Sequence, residues 1–181
     1  MSKAVTLKAS DFFIMINIEQ NYLKSLFSYK EGRLIWNEDR RANKVKGTLA
    51  GYLNPVTKYF LIRINNKGYK ASHLIYIYHH GKDVQFIDHI DGDTTNDRIE
   101  NLRECNLQQN AYNRRAQINT SSQYKGVSFC KKLNKWECSL ATNGKQKKIG
   151  MFKTEIDAAI AYDKIAKVIQ GDFARLNFPL Q

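Results

Sequence analysis

Residues 84–115 read VQFIDHIDGDTTNDRIENLRECNLQQNAYNRR. QFIDHI carries strand formers, Gly92 begins a loop, IENLREC reads as a return strand, and Asn106 is placed to cap a helix carrying LQQNAYNRR. Strand, loop, strand and helix make a compact unit. It sets Asp88 and His89 at a strand end and lets Asn110, one turn inside the helix, come back to face them. Five acidic side chains, Asp88, Asp91, Asp93, Asp97 and Glu100, gather around His89 in a chain whose formal net charge is +12. Acidic groups in so basic a protein are expected to scatter as partners for lysine and arginine, so this cluster asks for a local cause.

The rest of the chain narrows what that cause is. At 181 residues with 43% hydrophobic content the chain can bury a sizeable core as one domain or a few small ones. No apolar run approaches the roughly 18 residues a bilayer-spanning helix needs, and the nearest, FFIMINI at 12–18, contains Asn17. A membrane partner is therefore not expected. Cys105, Cys130 and Cys138 form no CxxC pair, which suits free thiols in a reducing compartment and leaves out a zinc knuckle. Basic residues outnumber acidic ones 12 to 5 before position 70 and 11 to 5 from 122 onward, while 70–121 holds 6 basic and 7 acidic residues. Two cationic flanks around a near-neutral centre suit a polyanion, with carboxylates tolerated near phosphate only where a cation intervenes.

The expected organisation is α+β in three blocks. Residues 1–69 form a small mixed arm, with a helix at 19–29 from the spacing of Tyr22, Leu23, Leu26 and Phe27, then strands at 33–36 and 58–64 and a turn at NNKG, 65–68. Residues 70–121 open with a brief helix, SHLIYIYHHG at 72–81, with Ser72 as its N-cap and Gly81 past its end, and continue into the acidic unit. SSQ at 121–123 reads as a linker. Residues 122–181 give three strands, the last two joined by Asn143-Gly144, the strongest short hairpin signal, and a helix from about 155 opened by Thr154 with Asp157 three residues on.

The succession Asp88-His89, then Asn101-Leu102-Arg103, then Gln108-Gln109-Asn110 resembles the ββα-metal core of HNH endonucleases, in the form common in phage and homing enzymes. The resemblance implies a phosphodiester hydrolase. His89 would be the general base that takes a proton from water near pH 7, a role worth roughly two to four powers of ten in rate. Asp88 and Asn110 would hold a divalent cation, and Asn101 would pin the loop so that His89 is aimed. One carboxylate and one amide make a hard, weakly charged donor set, so Mg2+ or Mn2+ is expected and zinc is not. Asp91, Asp93 and Asp97 lack EF-hand spacing and read as turn formers and local caps. His79 and His80, adjacent on a helix, point apart and read as decoration of its C-terminus, and His73 as packing. Arg114 and Arg115, just past the metal helix, are candidates for backbone contact with DNA.

YKGVSF, KW, IGMF, AAIAYDKIA and GDFARLNFP resemble the ethylene-response-factor (Apetala-two) DNA-binding domain, also found fused to phage HNH nucleases. That resemblance implies a three-stranded sheet lying in the major groove with the helix packed behind it. Tyr124, Gly126, Val127, Trp136, Gly150, Phe152, Tyr162 and Asn177 would build the domain, and Lys125, Lys131, Lys132, Lys135, Lys145, Lys147 and Lys148 would face DNA. Where the plant domains carry base-reading arginines and a tryptophan, this chain has Ser128, Ala141 and Lys148, so the target sequence is not inherited. The upstream portion also resembles the N-terminal arm of such phage nucleases.

Together the two resemblances imply a homing-type endonuclease acting on double-stranded DNA as a monomer or homodimer, phage-encoded and working in the host cytoplasm. A DNA-binding regulator with a silent core is the alternative, and the intact set Asp88, His89, Asn101 and Asn110 favours the enzyme.

Overall fold

The computed structural model describes residues 18–39, 45–116 and 120–179, so the apolar run at 12–18 lies outside the described residues except for Ile18. Two compact units divide the chain, Met1–Glu104 and Cys105–Gln181.

In the first unit the opening helix α1, Gln20–Leu26, is shorter than the spacing predicts, because Phe27–Lys30 leaves it as strand β1 and pairs antiparallel with β2, Arg33–Trp36. Tertiary packing overrides helical period here. Phe27 is fully buried and its ring sits 4.5 Å from that of Trp36, its cross-strand partner. Strands β3, Tyr52–Leu53, β4, Phe60–Ile64, and β5, Lys67–Lys70, form a second antiparallel sheet in chain order, with Asn65 and Asn66 both at positive φ in the turn between β4 and β5.

Helix α2, Ala71–His80, is the core helix of this unit and buries Ala71, Ser72, Leu74, Ile75, Tyr76 and Ile77. Its N-cap is Lys70 and not Ser72, which lies inside the first turn and is buried there. Each fully buried aliphatic side chain stabilises the unit by about 1.5–3 kcal/mol. Around α2 cluster Leu23, Leu26, Phe27, Leu34, Trp36, Ile62, Ile64, Val84 and Leu102. Strands β6, Phe86–His89, and β7, Leu102–Cys105, pair with each other and complete the layer, with a short 3-10 turn at Ile99–Asn101 leading into β7.

The second unit begins at Cys105, continues with helix α3, Leu107–Tyr112, and carries its own core. Asn106 caps α3 as expected, and Gln109 adds the reciprocal bond of a capping box. Asn106 Oδ1 accepts from the Gln109 amide at 2.8 Å, and Gln109 Oε1 accepts from the Asn106 amide at 2.8 Å. Strands β8, Val127–Cys130, β9, Lys135–Thr142, and β10, Lys145–Phe152, form an antiparallel sheet with β9 in the middle. Helix α4, Glu155–Gln170, starts at Thr154, whose hydroxyl accepts from the Asp157 amide and donates to its carboxylate.

Val127, Cys138, Leu140, Ala158, Ala159, Tyr162 and Ala166 make the core between sheet and helix. Gly126 is obligatory in this packing: at φ 74° a Cβ would lie 2.2 Å from the Tyr162 ring. Residues 121–123 are not a loose linker. Ser122 is buried, its hydroxyl donates to Glu155 at 2.7 Å, and Ser121 Oγ accepts from the Phe129 amide at 2.8 Å. Two consecutive hydroxyls satisfying nearby polar groups explain why a Ser-Ser pair stands here.

Candidate active site and nucleic-acid interface

Strand β6 ends by delivering Asp88 and His89 side by side into a nearly dry site, 4% and 5% exposed. A buried carboxylate needs a partner, and Arg103 from β7 supplies one: its Nε and Nη2 donate to Asp88 Oδ2 at 2.8 and 2.7 Å. The arginine of the Asn-Leu-Arg run therefore serves the expected metal ligand, a pairing that its place on the return strand beside Asp88 makes intelligible. The loop that follows His89 is closed by Asn101. Its Oδ1 accepts from the Asp91 amide at 3.0 Å, and its Nδ2 donates to Asp91 Oδ1 at 3.0 Å and to the Asn96 carbonyl at 2.8 Å. The Asn101 carbonyl accepts from the Ile90 amide at 2.9 Å, so the same residue ties both ends of the loop.

Asp91 and Asp93 behave as turn formers. Asp91 accepts from the Asp93 amide and the Asn96 side chain, and Asp93 from the Thr95 amide and hydroxyl. Burial opposes the ionisation of Asp91, but the donors from Asp93, Asn96 and Asn101 outweigh it and hold its pKa below the ordinary value. Asp97 departs from the expectation of a local cap. It is 1% exposed, and its Oδ1 lies 2.9 Å from His89 Nε2. The loop turns back at Gly92 and Asp93 and returns Asp97 to the strand end eight residues after His89, a closure that the acidic pattern alone does not disclose.

Two of the remaining histidines pack against aromatic rings. His79 lies edge-on to Tyr29 at 4.5 Å and His80 against Tyr76 at 4.3 Å, both in the last turn of α2. Burial, and then Lys70, push the His73 imidazole down, which keeps it neutral at pH 7. Among the described residues no group of three or more His, Cys, Asp or Glu side chains converges as a metal cage. Asn110, half-buried on α3, belongs to the second unit.

In that unit the strand register sorts the expected DNA-facing residues. Cross-strand partners share a face. Cys138 and Leu140 point toward α4, so Glu137, Ser139 and Ala141 lie on the open face, together with their partners Ser128, Lys148 and Gln146. Ser128, Ala141 and Lys148 thus stand on one open surface. Lys135 shares it by alternation, and Lys148 Nζ donates to Glu137 there at 2.7 Å. Lys147, opposite Leu140, and Lys145, opposite Thr142, belong to the other side by register but stand exposed on the edge strand β10.

Lys131, Lys132, Arg114 and Arg115 are exposed. Lys125 is the exception, half-buried, with its ammonium donating to the Tyr112 carbonyl. Burial, reinforced by Arg175 and Arg114, lowers its pKa to about 8. Asn177 clamps the main chain of Lys125 from both sides and is itself held, with Phe178, by Asp163.

Residues 69–112 match a family model described as HNH endonuclease. Over 92 residues, 51% of the chain, the sequence is 36% identical to "Uncharacterized HNH endonuclease L560" of Acanthamoeba polyphaga mimivirus, covering 46% of that protein. A match of the same length, 29% identical, covers 75% of "Protein 3.8" of Escherichia phage T7. Over 67 residues, 37% of the chain, it is 42% identical to "APETALA2-like protein 2" of Oryza sativa subsp. indica. The chain spans only 15% of the length of that plant relative. The family match spans β6, β7 and α3, and the chain is thus similar to HNH endonucleases over residues 69–112 and, over a stretch of 67 residues, to an APETALA2-like protein.

Proposed function

We propose that the protein is a divalent-metal-dependent DNA endonuclease of the homing type, in which residues 70–121 cut duplex DNA and residues 122–181 bring them to it. The observation that carries the reading is the burial of Asp88 and His89 together at the end of β6, beneath a loop that Asn101 ties at both ends. Fixed donors in a water-poor site are what phosphodiester hydrolysis asks of a protein.

In this reading His89 takes the proton from the attacking water, and Asn101 keeps the loop from drifting as it does so. Asp88 and Asn110 would hold Mg2+ or Mn2+ through oxygen atoms, a donor set that fits a hard cation keeping water and substrate phosphate in its remaining places. Such an ion, when bound, offsets the charge that develops on the departing oxygen. Arg103 holds Asp88 in place through its two hydrogen bonds. Arg114, Arg115 and the exposed lysines neutralise backbone phosphates, and the open face of β8–β10 lies in the major groove. Lys131, Lys132, Lys135, Lys145, Lys147 and Lys148 bind through charge and do not by themselves specify a sequence.

The test is incubation of the full chain with supercoiled DNA. Nicked or linear product is expected with Mg2+ or Mn2+ and none with a chelator, and full cleavage in chelator would defeat the proposal.

A further inference from the structure

We propose that Asp97 and Arg33 are positioning residues for His89, so that the N-terminal β1–β2 hairpin is part of the catalytic apparatus. The inference rests on the reading of His89 as the general base. A turn-forming aspartate spends its carboxylate on backbone amides, as Asp91 and Asp93 do. Asp97 does not. Buried at 1% exposure, it has one hydrogen bond, between Oδ1 and His89 Nε2 at 2.9 Å, while Oδ2 has none and lies 3.5 Å from Arg33 Nη1.

A carboxylate only accepts, so the ring hydrogen sits on Nε2 and the basic lone pair falls on Nδ1. The pairing thereby fixes both the direction of the imidazole and the nitrogen that can receive a proton. The Tyr59 ring, 6.1 Å away by centroid, lines the same side chain.

Asp97 is in turn held from the hairpin. Arg33 donates to the Gly32 carbonyl and to the Thr95 carbonyl, each at 2.9 Å, and its guanidinium lies 3.9 Å above the Phe60 ring. Tyr29 Oη accepts from the Ile99 amide at 3.0 Å. Gly32, at φ 81°, passes so close to the loop that a Cβ would stand 2.8 Å from the Arg98 nitrogen and 3.0 Å from the Asp97 carbonyl carbon. Three successive points of the loop, Thr95, the Asp97–Arg98 peptide and Ile99, are thus anchored on one hairpin more than 60 residues upstream.

Asp97→Asn is the discriminating variant because it keeps the shape of the side chain. With Arg33 beside one arm, the asparagine carbonyl turns toward the guanidinium and its NH2 toward His89, which must then accept on Nε2 and carry its hydrogen on Nδ1. In the full-length protein with Mg2+ and supercoiled DNA, kcat is expected to fall roughly a hundredfold or more, with KM for DNA and the melting temperature unchanged. Long-range 15N–1H spectra of the His89 ring, assigned by their loss in His89→Ala, should move from the Nε2–H to the Nδ1–H pattern. Arg33→Ala should lower kcat in the same direction by about tenfold.

Wild-type cleavage by Asp97→Asn, or a wild-type His89 that carries its hydrogen on Nδ1, would overturn the proposal. A wild-type protein that shows the tautomer switch on substitution but cuts no DNA would defeat the nuclease reading while establishing the Asp97–His89 pairing.

Discussion

In the loop between β6 and β7, Asp91, Asp93, Asn96, Asp97 and Asn101 each engage another residue of the same unit. Across β8–β10 the balance is reversed: Lys131, Lys132, Lys135, Lys145 and Lys147 are exposed and have no partner among the described residues, and only Lys148 is tied, to Glu137. The contrast follows from what each region is asked to hold. A proton transfer fails when the base swings by an ångström. A phosphate contact needs charge within reach, and a long mobile side chain supplies it. Order is concentrated where chemistry is proposed, and spare charge where binding is.

The largest expected effect tests the ordered side of that contrast. His89→Ala should reduce cleavage by roughly two to four powers of ten while leaving duplex affinity unchanged, read by nicking rate and by binding isotherm on the same preparation. A loss of affinity in proportion to rate would merge the two regions into one function.

Next comes Asn101→Ala. It removes two donated bonds and one accepted bond, leaves the Asp91 amide without that acceptor, and should cost about 1–3 kcal/mol of stability by chemical denaturation, with cleavage reduced more than the stability loss explains.

A smaller effect is expected on the sheet. Lys135→Ala with Lys148→Ala on the open face should lower the slope of log affinity against log salt by about 0.9 for each phosphate contact removed, with turnover on saturating DNA intact. Lys145→Ala with Lys147→Ala, on the other side by register, should change the slope less. Equal effects of the two pairs would mean that the open face is not the surface that meets DNA.

The smallest effect concerns Lys125, the one cation of the set that is half-buried. Its pKa in the folded chain, about 8, lies below the ordinary 10.5 because burial, then Arg175 and Arg114, disfavour its charge. Between those values the unfolded chain binds the proton and the folded chain does not, so this residue makes stability rise with pH across that window. Its cost is fully present below pH 8. Relative to Lys125→Met, the wild-type melting temperature should therefore gain about 2 °C between pH 7.5 and 9.5, a small amount because the side chain keeps part of its solvent.

Local signals carried most of the fold into the sequence. Thr154 with Asp157, Asn106, and Asn143-Gly144 each announce an element end within four residues, and those ends stand where expected. Phe27–Lys30 was not legible as a strand because its apolar positions continue the period of α1, and only Trp36, nine residues on, decides otherwise. The site divided in the same way. Asp88, His89 and Asn101 belong to a short pattern, whereas the meeting of Asp97 with His89 depends on how a loop closes, and that of Arg33 with Thr95 spans 62 residues. No spacing rule reaches that far.

The anchoring of the loop by the β1–β2 hairpin sets a limit on transplantation. A cassette cut at residue 69, where the family match begins, would take His89 and Asp97 along and leave Tyr29, Gly32 and Arg33 behind. Grafted onto another protein, such a piece would carry its candidate catalytic residues on a loop with nothing to lean against. The portable unit starts at α1, and an engineer who trims to the motif discards the brace.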